Sequence, residues 1–368
     1  MTIKNLSRKE ALDLVIGAKI LACGGGGSDA IAIDKINEIY DKEEFFTIAD
    51  LSDFQEEGTI CIIGMVGGGI TKEDMQLVEG LKIVEQEPMI KAVETLENFL
   101  DSNFQGFVAT ELGPYNSIVP LIVASQMGKI AVDGDCCGRS KPKISISTTA
   151  VMDISISPFS IVNSFGDIQI VESAVDDIRG EVIARTAARL SGGSVSVARC
   201  PMTISQANTA VIPKTFSKAI ELGRKVREAT KIRINPIRVI LDVIPESKVI
   251  FRGRVTKFSR KEEGGFTSGE ILLESEERTT DILKIYYQNE YLLTWLNNKQ
   301  HISCPDSIIV VDTQTGYGLT PWENDFTEGR MVTVLAQEAT EIWKTERGLD
   351  VFGPQNFDKT WSKYEKKL

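Results

Sequence analysis

Apolar positions along the chain follow two periods, and they change register at recognisable signals. Ala11, Leu14, Val15 and Ala18 recur at helical spacing behind Ser7-Arg8-Lys9-Glu10, a capping box in which the serine accepts from the first turn and the glutamate reaches back. This predicts a helix over about 8–21. Four consecutive glycines, Gly24 to Gly27, end it, and Ser28-Asp29 cap a second helix over about 29–41. A short strand (45–48) precedes TICIIGMV (59–66), an apolar run that reads as a buried strand ending in Gly67-Gly68-Gly69. Next come a helix over 87–102, the strand FQGFVATELG (104–113), a helix over 116–127, and KIAVDGDCCGRS (129–140), a strand entering a polar turn. Strand, loop and helix in alternation predict an α/β layer with a largely parallel sheet, whose ligands sit beyond the carboxyl ends of the strands.

The texture then shifts. Residues 144–170 are β-rich, two helical stretches lie near 173–190 and 215–230, and from 234 onward short alternating segments dominate. These are IRVILDVI, KVIFRGRVTKF, GEILLE, ILKIYYQNEYLL, SIIVVDT and RMVTVLA. The expected fold is therefore α/β + β. An N-terminal α/β domain (1–168) carries the glycine-rich loop and the acidic turns. A mostly antiparallel β domain with a few helices (169–368) follows it. A chain of 368 residues is long enough for two cores.

Charge narrows the range of partners. The formal net charge is −11, whereas nucleic acid and anionic membrane both require a basic face, so neither is an expected partner. No apolar run reaches the ~18–20 residues of a membrane span. MTIKNLSRKEALDL lacks a secretory apolar core, so the expected location is cytoplasmic. The six cysteines form no C-x-x-C pair, and the sole histidine, His301, leaves no company for a zinc motif or a Ser-His-Asp triad. Chemistry must rest on carboxylates, amides, cations, thiols or backbone.

The glycine run invites a phosphate-loop reading, which its flanks exclude. No Lys-Ser/Thr follows it, as G-x-x-x-x-G-K-[ST] demands, and it follows a helix rather than the strand that a dinucleotide fingerprint requires. No nucleotide cofactor is expected. Glycines instead let backbone N–H groups approach a small ligand, so Gly24, Gly25, Gly26 and Gly27 are candidate binding residues, with Gly68 of the second cluster. Parallel strands would bring the turns Gly67–Gly69, Glu111–Ser117 and Asp133–Arg139 to one edge, where Glu111, Asn116, Asp133, Asp135 and Arg139 converge. Glu111, Asp133, Asp135 and Arg139 are the catalytic candidates. Asp133 and Asp135, two apart at a strand end, suit general acid–base work or a divalent metal ion. Cys136 and Cys137 lie beside a cation, which favours a thiolate, yet lack a base. In the second domain, Asn289 and Glu290 within YQNE join the binding candidates, while His301 reads as a surface-loop residue.

These segments in this order, LACGGGGSDA (21–30), ATELGPYNSIVPLIVASQMGKIAVDGDCCGRSKPK (109–143), GGFTSG (264–269), YYQNEYLL (286–293), CPDSIIVVDTQTG (304–316) and GLDVFGPQNF (348–357), resemble the S-methyl thiohydantoin desulfurase-like family, associated with hydantoinase/oxoprolinase-type proteins. The resemblance implies hydrolytic loss of methanethiol from an S-methyl thiohydantoin, a small cyclic thioimidate. Gly24–Gly27, Glu111, Asn116, Asp133, Asp135 and Arg139 fall in its signature segments. Cys136 and Cys137 depart from the small or apolar residues that relatives carry. The expectation is a hydrolase whose water is activated by a carboxylate, directly or through a metal, with a homo-oligomeric assembly. The alternative is a non-catalytic small-molecule-binding or accessory subunit of a hydantoinase/oxoprolinase system.

Overall fold

Among the described residues, seventeen strands divide between two sheets. The computed structural model describes residues 3–278, 280–361 and 364–368. The first sheet comprises β1 (Lys4–Asn5), β2 (Thr47–Ala49), β3 (Thr59–Gly67), β4 (Gly106–Ala109), β5 (Ile130–Asp135), β6 (Phe159–Val162), β7 (Ile168–Val171), β8 (Ser194–Thr203) and β9 (Ile212–Pro213). Its order is β1-β2-β5-β4-β3-β8-β6-β7, with β9 on β5. The central neighbours β2, β5, β4 and β3 are parallel, so their carboxyl ends share one edge. Antiparallel strands flank them. The second sheet comprises β10 (Ser247–Phe258), β11 (Lys261–Glu263), β12 (Phe266–Ser275), β13 (Ile282–Gln288), β14 (Glu290–Leu296), β15 (Lys299–Ser303), β16 (Ser307–Asp312) and β17 (Met331–Gln337). It is antiparallel throughout, in the order β15-β14-β13-β12-β10-β17-β16 with β11 on β12.

The expected first helices form as α1 (Arg8–Leu21), with its capping box, and α2 (Asp29–Asp41), capped by Ser28. Along β3, Cys61 and Ile63 point into one apolar cluster while Ile60, Ile62 and Val66 point into another. Burial on both faces explains the unbroken apolar run of a parallel-sheet strand. The first cluster is continuous across the molecule, joining Leu14 and Ile20 of α1 with Phe107 of β4 and with Val310 and Leu335 of the second sheet. The helix Thr215–Lys231 packs on α1 closely enough that a Cβ on Gly17 would stand 1.8 Å from the carbonyl oxygen of Ala219. Arg227 crosses this contact to form a bidentate pair with buried Asp13, Nε to Oδ1 2.6 Å and Nη2 to Oδ2 3.0 Å.

Four expectations differ from the structure. IRVILDVI is a helix, Pro236–Val243, not a strand: Asn235 caps it, Pro236 occupies its first turn, and Ile237, Ile240 and Ile244 form the buried stripe. The β-rich stretch 144–170 contains a helical turn, Thr148–Val151, before the β6–β7 hairpin. Ser194–Thr203, read as no element, is the ten-residue strand β8, which returns the chain to the first sheet beside β3. His301 sits in the edge strand β15 rather than a loop.

Candidate active site

The glycine loop lies on the shared strand edge. Gly24, Gly26 and Gly27 have φ of 90°, 82° and 85°, in the left-handed region that side chains disfavour. The loop is also crowded. A Cβ on Gly26 would stand 2.2 Å from Cα of Gly113, and one on Gly25 would stand 2.0 Å from Oε1 of Glu290. The carbonyl of Gly26 accepts from the N–H groups of Tyr115 and Asn116, both at 3.0 Å. Tyr291 N–H donates to the Cys23 carbonyl (2.8 Å), and Trp322 Nε1 donates to that of Gly24 (2.8 Å). The loop thus joins the turn after β4 to the start of β14.

Two carboxyl groups flank the loop from different sheets, Glu111 after β4 and Glu290 at the head of β14. Both are buried. Glu111 is provided with donors: Asn116 Nδ2 reaches Oε1 at 2.7 Å, and the Lys141 N–H reaches Oε2 at 3.1 Å. Burial nevertheless raises its pKa to about 7 against the pull of the Lys141 charge and these two hydrogen bonds, with Asp135 adding to the rise. Glu290 Oε2 is buried with no hydrogen-bond partner among the described residues. Burial first, and the Glu111 charge second, push the Glu290 carboxyl far above its ordinary value, opposed by the charges of Arg139, Arg185 and Lys141. The Glu111 charge thus disfavours ionisation of Glu290, so the two carboxyls resist being charged together.

Other candidates take different positions. Asp133 does not stand beside Glu111 as a free base. Its Oδ1 accepts from Ser217 N–H (3.0 Å) and its Oδ2 from Ser217 Oγ (2.5 Å), so it caps the helix Thr215–Lys231, whose own N-cap residue Lys214 offers no side-chain cap. Asp135 Oδ1 accepts from Cys137 N–H (2.7 Å) and Gly138 N–H (2.6 Å), while its Oδ2 is buried without a partner among the described residues. Burial raises its pKa. Both Asp133 oxygens accept hydrogen bonds from Ser217, away from Asp135. No group of three His, Cys, Asp or Glu suited to a metal ion occurs among the described residues.

Arg139 is buried and donates to three carbonyls, Ser140 (3.1 Å), Asp306 (2.6 Å) and Tyr291 (2.6 Å), which makes it a clamp between the sheets rather than a free catalytic cation. Gly68 gives room to the Gly265 carbonyl, 2.1 Å from where its Cβ would be. Asn289, at φ 62°, turns the β13–β14 hairpin and spends its Oδ1 on Thr267 N–H (2.9 Å). Burial raises the Cys136 thiol to about 12 and the Cys137 thiol higher still, which removes the thiolate the sequence had suggested.

Residues not singled out in the sequence complete the surroundings. Lys141 donates from Nζ to the Thr110 carbonyl. Arg185 donates to Glu181 and to the carbonyls of Gly67, Gly265 and Pro142, with its guanidinium 4.2 Å over the Phe266 ring. Arg185 and Phe266, with Lys143, Glu181, Arg347 and Phe357, line a cleft of about 950 Å³. The available signal was on the helix Asp177–Leu190, where Glu181 and Arg185 lie i,i+4 on a stripe otherwise made of Gly180, Ala184 and Ala188. A charged pair on a buried stripe marks a polar contact inside the molecule.

Comparison with known proteins places these features in a family. No curated protein matches the sequence. A crystal structure of a protein from Chromobacterium violaceum is similar over 94% of this chain and 95% of that one, at 20% identity and a TM-score of 0.75, a likeness of fold. Family models match almost end to end: the S-Me-THD-like N-terminal domain over residues 9–173 and the S-Me-THD-like C-terminal domain over 175–365. Glu111 falls within the first match and Glu290 within the second, and the chain belongs to the S-methyl thiohydantoin desulfurase-like family.

Proposed function

We propose that the chain is a hydrolase acting on a small cyclic thioimidate such as an S-methyl thiohydantoin, releasing methanethiol. The observation that carries this reading is Glu111, buried at the carboxyl edge of parallel strands with its pKa raised to about 7. A carboxylate tuned near the working pH serves as a general base. Asn116, half-buried on the flank of the pair, holds the Glu111 carboxylate by one oxygen. In the reaction, Glu111 takes a proton from water as its oxygen attacks the carbon between sulfur and nitrogen. Backbone N–H groups of the glycine loop stabilise the charge that develops on the ring. Collapse of the adduct expels the thiolate, which leaves with the proton held by Glu111, and the ring remains as a hydantoin.

Assay of methanethiol from S-methyl thiohydantoin tests the reading. The wild type turns over, and Glu111→Gln loses on the order of 10²–10⁴-fold in kcat while folding normally. A wild-type chain that releases no methanethiol ends this assignment.

A further inference from the structure

We infer that Glu290 is a second catalytic residue, the proton donor that works opposite the base Glu111; this rests on the hydrolase reading above. Hydrogen bonding sets the roles. Two donors converge on Glu111, from Asn116 and Lys141, an arrangement that favours a carboxylate there. Glu290 is provided with none at Oε2, which is buried, so the stable form of this side chain carries a proton that it has yet to place. Its Oε1 lies against Gly25, in space that exists only because Gly25 has no Cβ. Its neighbours are the charges of Glu111, Arg139, Arg185 and Lys141. Arg139 and Arg185 are committed to backbone carbonyls, Arg185 also to Glu181, and Lys141 to the Thr110 carbonyl.

The proton balance closes with these two groups. Glu290 delivers its proton to the ring nitrogen of the thioimidate, which makes the adjacent carbon the electrophile. Water adds there as Glu111 removes its proton. As the carbon–sulfur bond breaks, the new hydroxyl gives its proton back to Glu290 and becomes the carbonyl, and the thiolate takes the proton from Glu111. One water is consumed, one thiol leaves, and both carboxyl groups return to their starting state.

The test compares wild type with Glu290→Gln by two independent readouts. Infrared spectra of wild type at pH 9, where Glu111 is ionised, show a protonated-carboxyl component that Glu290→Gln lacks and Glu111→Gln keeps. In turnover, Glu290→Gln loses on the order of 10²–10⁴-fold in kcat, with little change in KM and no loss of thermal stability. The decline of kcat on the alkaline side of the wild-type profile, where the donor ionises, disappears in this variant. A ring whose nitrogens are both alkylated, and which is therefore already cationic, needs no donor and is hydrolysed by Glu290→Gln at the wild-type rate. The inference is overturned if that component is undiminished in Glu290→Gln at pH 9, if kcat stays within a few-fold of wild type, or if the alkaline limb survives the substitution. A wild type with the component but without turnover overturns the hydrolase reading and the catalytic use of this proton, while the proton's place on Glu290 stands.

Discussion

Adjacent glycines in the loop do different work. Gly26 has a left-handed φ and meets the backbone of Gly113, so Gly26→Ala both strains the chain and separates two backbones that cannot yield. The expected cost is about 3 kcal/mol or more, read by denaturant unfolding. At Gly25 the obstacle is the Glu290 carboxyl, a side chain that can swing aside. Gly25→Ala therefore costs only about 1–2 kcal/mol of stability yet moves Glu290 off its position, and its loss of kcat exceeds that of Gly26→Ala measured on the folded fraction. An order of effects the other way round on activity contradicts the role given to Glu290. The sequence displayed an excess of glycine over what a helix end needs, but not its reason: the crowding comes from Tyr291, Glu290, Gly113 and Tyr115, all far away along the chain.

Among secondary-structure elements, legibility depended on where the partners lie. α1 and α2 were readable because their caps are local, within three residues of the helix start. The helix Pro236–Val243 misled because Ile237, Val239, Leu241 and Val243 alternate like a strand, while its buried stripe runs through Ile237, Ile240 and Ile244. The signal that decides it is the Asn235-Pro236 start, which outweighs the alternation. The hydrogen bonds of Asp133 lay out of reach of the sequence for a related reason. A carboxylate at a strand end looks catalytic in sequence, but its partner is the first turn of a helix more than eighty residues later. Asp133→Ala removes that cap and destabilises the protein by about 1–2 kcal/mol, measured by thermal or denaturant unfolding. Turnover per folded molecule stays within a few-fold of wild type, whereas a loss comparable to Glu111→Gln would return Asp133 to the chemistry.

For the molecule as a whole, stability carries the imprint of the buried pair. Glu111 is raised from 4.5 to about 7 in the folded state, so between those values the folded chain binds more protons than the unfolded one. Stability must therefore fall as pH rises through this window, by about 3 kcal/mol from Glu111 alone, and Glu290 adds in the same direction. Denaturant unfolding between pH 5 and 8 reads this slope. Glu111→Gln flattens it and leaves the variant more stable than wild type at pH 8, the reverse of what removing a structural carboxylate does. The α/β + β fold was legible because each half has its own periodicity. The dyad was legible only in pieces: Glu111 and Glu290 were both singled out, but nothing in the sequence joined residues 179 positions apart in different sheets.

The division of that pair between two sheets affects the order of assembly. Before the sheets meet, each carboxyl is solvated and ionised at neutral pH; afterwards one of them carries a proton. Docking of the two halves is thus a proton-uptake step. Refolding in weakly buffered solution turns the medium alkaline when the sheets close, and mild acid favours closure. A chain with both sheets formed but not yet joined would have native secondary structure and no working site. The paired carboxyl groups proposed as the site exist only once the two sheets have joined.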